Sequence, residues 1–193
     1  MAAALSPERL SVADTGLLVI DVQEKLLPKI DEPERLVRNI AFLIDACKLL
    51  NVPAWVTEQY PKGLGPTVPE LAKRLPAERP DKVAFSSCAI ASLVDGFHRA
   101  GRPNILVAGM ETHVCVMQTV LDLIALSFRV FVAVDAVGCR YPIDHETALR
   151  RMEMAGAVPV TSEMAVFELT RVAGTSVFKE ISRLVQERMK AIA

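Results

Sequence analysis

Short apolar segments alternate with longer stretches of helical periodicity along nearly the whole chain, and this order limits the possible folds more than any other feature. The segments typical of β-strands are residues 15–21, 54–58, 82–86, 104–110, 129–135 and 158–162. The helical patterns cover residues 34–50, 70–75, 91–100, 112–127, 145–157 and 175–191. Such alternation predicts βαβ units and an α/β fold around a mainly parallel sheet.

Proline and glycine mark several of the predicted boundaries. Pro33 opens the first long helix, Asn51 and Pro53 end it, and Gly101 ends the helix over residues 91–100. Residues 59–69 carry two glycines and three prolines, a density that favours an ordered loop over a site.

Size and charge narrow the class of protein. The 193 residues fit a single domain, residues 1–193, and the 51% of hydrophobic residues can form one core. Lys and Arg total 22 against 23 Asp and Glu, so no charge excess favours nucleic acid or a membrane surface. The longest apolar runs are too short to cross a bilayer. We therefore expect a small-molecule partner.

The first residues and the cysteines predict the compartment. Residues 1–16 lack both a basic start and a sustained apolar stretch, so we expect no secretory signal and a cytoplasmic protein. The four cysteines form no CxxC pair and no metal-ligand cluster with the three histidines. We therefore expect reduced thiols and neither a metal nor another cofactor.

Three residues with reactive side chains lie at or beside predicted strand ends, where open α/β sheets bind ligands. Asp21 closes the first strand, Lys82 borders the third, and Cys115 lies in the first helical turn after the fourth. That turn favours a thiolate and offers N–H groups to an oxyanion. Lys82 is placed to lower the pKa of the thiol, and Asp21 to take its proton.

Each of the three residues also has a plainer interpretation. An Asp at a strand end is commonly a helix or loop cap, a single Lys is commonly solvated, and an isolated Cys is commonly a small buried hydrophobe. Composition and periodicity alone thus predict only an α/β domain with a site at its strand ends.

The strings LLVIDVQEKL, TEQYPKGLGPTVPEL, DKVAFSS and AGMETHVCVMQTVLDL occur in this order. Together they resemble the isochorismatase-like hydrolase superfamily across nearly the whole chain, and TEQYPKGLG is most similar to the isochorismatase-domain-containing subgroup. The resemblance implies a three-layer αβα sandwich with a six-stranded sheet and a catalytic triad of Asp21, Lys82 and Cys115. It also implies a cis peptide between Met110 and Glu111, backbone oxyanion donors at Glu111 and Cys115, and a homo-oligomer.

Departures from related groups narrow the implied chemistry. Nicotinamidases of this fold carry an Asp-x-His-x-His metal motif after the second strand, whereas this chain has no histidine before residue 98. Isochorismatases proper usually lack the cysteine, so Cys115 favours amide-like or ureido substrates. The superfamily's common Ala-Thr-Asp is replaced here by Glu111, Thr112 and His113, which implies a different pocket.

Gln23, Tyr60 and His113 are the candidate substrate-binding residues. Loop hydrogen bonding is an equally good interpretation of Gln23, and packing under the proline-rich loop of Tyr60. An exposed position in the first helical turn is the plainer interpretation of His113, which is otherwise placed to relay protons. We assign no role to His98 or His145.

Three functional hypotheses follow. The first is a hydrolase that cleaves a small amide or related C–N bond through a cysteine thioester. The second is a catalytically silent or regulatory binding protein with the same fold. The third is thiol redox activity, which would need Cys139 to approach Cys115 in space.

Overall fold

A six-stranded sheet forms the centre of the computed structural model, which describes residue 6 and residues 8–190. Its strands are β1 (Thr15–Ile20), β2 (Ala54–Gln59), β3 (Asp81–Lys82), β4 (Asn104–Met110), β5 (Arg129–Gly138) and β6 (Val158–Val160). They lie in the order β3-β2-β1-β4-β5-β6, and every neighbouring pair is parallel. The predicted α/β class is confirmed, and the sheet is parallel throughout.

Eight α-helices connect and cover the strands in the described part of the chain. They are α1 (Pro33–Leu49), α2 (Pro61–Leu64), α3 (Pro69–Ala72), α4 (Ala91–Arg99), α5 (Met117–Ala125), α6 (Pro142–Met154), α7 (Ser162–Thr170) and α8 (Ser176–Lys190). A π-helical turn, Thr112–Val116, joins β4 to α5.

The alternation of side chains along β1 builds the three layers. Leu17 and Val19 belong to the apolar cluster that also contains buried residues of α1, α7 and α8. Leu18 and Ile20 belong to a second cluster, with buried residues of α4, α5 and α6. Because successive side chains of a strand point to opposite faces, both faces of the sheet are covered. The predicted αβα sandwich is confirmed.

Several predicted boundaries hold. Helix α1 begins at Pro33, and Asn51 takes a left-handed conformation with φ 56° just after its end. Gly101, with φ 63°, follows α4, and its N–H donates to the carbonyl oxygen of His98. Both residues act as left-handed helix terminators.

The third strand is shorter than predicted. Only Asp81 and Lys82 pair with β2, whereas the prediction covered residues 82–86. Val83 and Phe85 are 79% and 52% exposed. The chain leaves the sheet after Lys82, whose buried ammonium donates to the carbonyl oxygen of Phe85 at 2.9 Å.

Among the described residues, no helix combines the length and the apolar character that crossing a lipid bilayer requires. Residues 1–5 and 7, within the segment predicted to lack a signal, lie outside the described residues, as does residue 191 of the predicted last helix.

Candidate active site

The carboxyl ends of β1, β3 and β4 bring together the side chains of Asp21, Lys82 and Cys115. Asp21 follows β1 directly and Lys82 ends β3, while Cys115 lies in the π-helical turn after β4. Nζ of Lys82 lies 2.6 Å from Oδ2 of Asp21, and both side chains are almost fully buried. The thiol of Cys115 faces both groups, which act on its pKa.

The Lys82 ammonium has a filled donor shell. Its Nζ donates to Oδ2 of Asp21 at 2.6 Å, to Oε1 of Gln59 at 2.7 Å and to the carbonyl oxygen of Phe85 at 2.9 Å. An ammonium has three N–H donors. Three oxygens therefore compete for these donors with the Cys115 sulfur, which also has a side-chain hydrogen bond with Lys82.

The Asp21 carboxylate is held by both of its oxygens. Oδ1 accepts from the Thr57 hydroxyl at 2.8 Å, and Oδ2 accepts from Lys82. Burial raises the pKa of the Asp21 carboxyl above its ordinary value, while the Lys82 ammonium and the hydrogen bonds oppose that shift. A buried carboxylate with a raised pKa is a stronger base than an exposed one.

The Cys115 thiol is protonated at rest, which differs from the expected thiolate. Burial raises the pKa of the thiol to about 12; Asp21 adds to the shift and Lys82 opposes it. The residue is only 5% exposed. Desolvation outweighs the attraction of the Lys82 ammonium, because an ionised sulfur would lose its water. A thiol in this state needs a base to remove its proton before it can act as a nucleophile.

The turn that carries Cys115 begins at a close contact between β4 and β1. Gly109 has φ 126°, and a Cβ atom there would lie 2.2 Å from the carbonyl oxygen of Ile20. Glycine is required at this point, since a side chain would push apart the two strands that carry Asp21 and the turn. The peptide bond between Met110 and Glu111, just after this glycine, is cis, as the resemblance implied.

The Glu111 side chain is buried and paired. Its Oε1 lies 2.9 Å from Nε of Arg140, and its Oε2 accepts from Nη2 of Arg140 at 3.2 Å. Nε2 of His113 lies 3.7 Å from Glu111 and 3.7 Å from Asp144. His113 thus stands between two carboxylates, with its side chain 21% exposed.

The structure places the other two candidate pocket residues very differently. Gln23 is fully buried; its Nε2 donates to the carbonyl oxygens of Gln59 and Gly65, and its Oε1 accepts from the Gln59 N–H. Gln23 therefore makes the loop hydrogen bonds of its plainer interpretation. Tyr60 is 52% exposed, its N–H donates to the Lys82 carbonyl, and its ring lies against Gly63.

Sequence reasoning missed several groups at the site. Gln59 contacts Lys82, and Thr57 contacts Asp21. His145, to which no role was assigned, lies 3.0 Å through Nδ1 from the hydroxyl of Thr112. The signal for Gln59 and Thr57 was their position at the carboxyl end of β2, which the strand-end rule covers.

Among the described residues, no group of three or more His, Cys, Asp or Glu side chains is arranged to hold a metal ion. The chemistry available from the described residues is that of a buried carboxylate, an ammonium and a protonated thiol.

Comparison with known proteins gives the family. The isochorismatase domain model matches residues 15–164. Isochorismatase domain-containing protein 2A of Mus musculus is 39% identical over 96% of this chain and 89% of the relative. The secreted isochorismatase effector Isc1 of Phytophthora sojae is 37% identical, over 94% and 89%. The all-parallel sandwich described above is the fold of isochorismatase-like hydrolases, and this chain belongs to the isochorismatase domain family.

Solved structures agree with the sequence relatives. The MAR1 ribonuclease of Caenorhabditis elegans has a TM-score of 0.87 and 39% identity over 92% of each chain. YcaC of Pseudomonas aeruginosa, with hexane-2,5-diol and covalent acrylamide, has a TM-score of 0.86 and 26% identity over 98% of each chain. Escherichia coli YcaC, an octameric hydrolase of unknown specificity, has 0.86 and 27%, over 98% of this chain and 97% of its own.

Proposed function

We propose that the protein is a cysteine-dependent hydrolase that cleaves a small amide or related C–N bond through a thioester intermediate. The observation that carries the proposal is the buried contact between Asp21 and Lys82, with the Cys115 thiol facing both. Asp21, Lys82 and Cys115 lie far apart in the sequence, so only the fold brings their side chains together. The plainer interpretations of each residue do not account for a buried ion pair beside a thiol.

The first step moves one proton. As the Cys115 sulfur attacks the carbonyl carbon of the amide, its proton passes to the Asp21 carboxylate, whose raised pKa favours that transfer. A C–S bond forms, and the carbonyl electron pair moves to the oxygen. We assign the stabilisation of this oxyanion to the backbone N–H groups of Glu111 and Cys115, in the turn after β4.

Collapse of the tetrahedral intermediate completes the acylation. The carbonyl re-forms, the C–N bond breaks, and the proton held by Asp21 passes to the leaving nitrogen. Water then attacks the thioester and gives a proton to Asp21. That proton returns to the sulfur as the acid leaves, so amide and water give acid and amine. No step uses a cofactor.

Small amides are the first substrates to test. P. aeruginosa YcaC is known with covalent acrylamide, a compound that nucleophiles attack at its alkene carbon, which agrees with a reactive nucleophile in this fold. Tyr60 is the candidate pocket residue that we retain at the mouth of the site, because it is exposed next to the Lys82 main chain. His113 is the other, as a proton relay between Glu111 and Asp144. For Gln23 we propose an indirect role through Gln59.

The test measures ammonia or amine release from a panel of small amides and ureido compounds. Intact-mass spectrometry of the quenched reaction should show a Cys115 acyl adduct, and Cys115→Ala should abolish both signals. Cys88→Ala is the matched control, because Cys88 is a partly buried cysteine outside the triad. Turnover that survives Cys115→Ala unchanged would refute the proposal. Absence of both turnover and adduct would favour the silent binding protein.

RNA cleavage is a second candidate, favoured by the similarity to the MAR1 ribonuclease. The near balance of 22 basic and 23 acidic residues gives the chain little long-range attraction for a polyanion. We therefore place small molecules before RNA. Incubation with a fluorescently labelled RNA decides the matter: cleavage lost in Cys115→Ala would establish the second candidate.

We also propose that the protein assembles with itself. The support is the octameric state of E. coli YcaC and the exposed apolar side chains Val83 and Phe85 beside the site. Light scattering coupled to gel filtration measures the mass directly, and a monomer at micromolar concentration would contradict this.

We propose that the protein is located in the cytoplasm, although the relative Isc1 is a secreted effector. Fractionation of the source cells, followed by immunodetection, tests it. Recovery of the protein in the medium would overturn the proposal.

A further inference from the structure

The side-chain amide of Gln59 touches the candidate active site, and the proposed reaction leaves it without a role. Gln59 ends β2 and is nearly buried. Its Oε1 accepts from Nζ of Lys82 at 2.7 Å and from the Cys115 thiol at 4.0 Å. One neutral oxygen thus stands beside both the ammonium and the thiol.

The orientation of this amide is fixed by its other contacts. Nε2 of Gln59 donates to the carbonyl oxygen of Val83 at 2.9 Å. The Gln59 main chain is bonded to the Gln23 side chain through both its N–H, at 2.7 Å, and its carbonyl, at 3.0 Å. An ammonium accepts no hydrogen bonds, so a flipped amide would set donors against donors. The oxygen must face Lys82.

The charged groups that act on the thiol come from two elements. Asp21 follows β1 and Lys82 ends β3. From β2 the described neighbours of this pair are the neutral Thr57 and Gln59. Because Asp21, Gln59 and the Phe85 carbonyl oxygen all accept from Lys82, they compete with the Cys115 sulfur for the three N–H donors of the ammonium.

We propose that Gln59 is a positioning residue that governs where Lys82 donates: its side-chain oxygen competes with the Cys115 sulfur for one N–H of the ammonium in the resting protein. The inference deepens the proposed cysteine hydrolase and rests on it. The sulfur stays protonated until a substrate arrives and Asp21 takes the proton. A protein without this acceptor would carry a free Lys82 N–H, which turns to the sulfur and stabilises the thiolate.

The test compares Gln59→Met with Gln59→Glu in the full chain. Both side chains are close to glutamine in length, and the main-chain bonds to Gln23 survive either change. Methionine removes the acceptor, so the Cys115 alkylation rate by iodoacetamide at a fixed pH of about 8 should rise about tenfold. Glutamate keeps Lys82 and adds a negative charge beside the sulfur, so the same rate should fall about tenfold.

Peptide mass spectrometry reads the alkylation of each cysteine separately. Cys88 is the internal standard, since its rate should not change, and Gln186→Met and Gln186→Glu on an exposed position of α8 are the matched controls. A general loosening of the site would raise the Cys115 rate in both Gln59 variants. Rates that move in the same direction, or do not move, would overturn the proposal.

A second measurement keeps the inference testable if a variant does not fold. In wild-type protein labelled with ¹⁵N at its lysine side chains, the Lys82 ammonium protons should exchange slowly with water, because three buried acceptors bind them. Fast exchange would overturn the proposal. Neither experiment on Gln59 and Lys82 needs turnover. The hydrolase proposal is tested separately, by Cys115→Ala and by the acyl adduct, so failure of one proposal can be told from failure of the other.

Discussion

Replacing Lys82 with methionine is expected to make the stability of the protein depend on pH in a specific way. The change removes the partner that lies 2.6 Å from Asp21, whose side chain is fully buried. Of the described partners of that carboxylate, the Thr57 hydroxyl and the Cys115 thiol remain. Removing one member of a buried ion pair typically costs about 3–5 kcal/mol, because the other charge stays without compensation.

The pH dependence follows from the direction of the Asp21 shift. Burial raises the pKa of this carboxyl, and the Lys82 ammonium opposes the rise. Without Lys82 the folded-state pKa of Asp21 rises further, so the folded variant holds a proton that the unfolded chain has lost. The free energy of unfolding then falls as pH rises from the ordinary carboxyl pKa of 3.8 to the raised one, by up to about 1.4 kcal/mol per pH unit.

Urea unfolding followed by circular dichroism, at several pH values between about 4.5 and 8, measures this. The deficit of Lys82→Met relative to wild type should be largest near pH 8 and shrink towards acid pH. The double variant Asp21→Asn/Lys82→Met should lose most of the pH dependence, because no buried carboxyl is left to titrate. Lys62→Met, on an exposed lysine, is the control.

Two results would refute the reasoning. One is a deficit of equal size at every pH, which would mean that Lys82 stabilises the fold by packing and not by charge. The other is a double variant no more stable than Lys82→Met near pH 8, since the reasoning assigns most of that loss to the unpaired Asp21.

Two further predictions concern the frame of the site. Gly109→Ala should cost about 3 kcal/mol or more of unfolding free energy, because its Cβ would meet a β1 carbonyl oxygen at 2.2 Å. The control Gly101→Ala, with open space around it, should cost about 1 kcal/mol. Equal costs of the two changes in urea unfolding would contradict this prediction. Asp135→Ala should cost about 2–4 kcal/mol, because Asp135 binds the start of α7 and lies 2.9 Å from Arg188 of α8. Glu163→Ala, which leaves that pair intact, should cost below about 1 kcal/mol in the same assay.

The sequence predicts the order of the elements well because burial on both sheet faces leaves strong apolar runs. The runs over residues 104–110 and the helix from Pro33 are of this kind. The prediction of a strand over residues 82–86 fails beyond Lys82, where the apolar Val83 and Phe85 face outward while the charged Lys82 is buried. A residue pattern cannot show that an ion pair with Asp21 reverses the usual preference.

The sequence also predicts the candidate site only in part. Position at strand ends, together with the family resemblance, indicates Asp21, Lys82 and Cys115. The protonation state of Cys115 depends on how completely the fold removes water from the sulfur, and the sequence does not show how deeply a residue is buried. The role proposed for Gln59 depends on a count of the Lys82 donors, which requires coordinates.

The position of β1 between β2 and β4 has a consequence for biosynthesis. Asp21 and Lys82 are separated by 61 positions and Gln59 and Cys115 by 56, so these contacts cannot form within one local segment. Cys115, the proposed nucleophile, is also the last of these residues to leave the ribosome. A nascent chain that ends before β4 carries Asp21 and Lys82 without Cys115, so the proposed reaction cannot begin until synthesis has passed the middle of the protein.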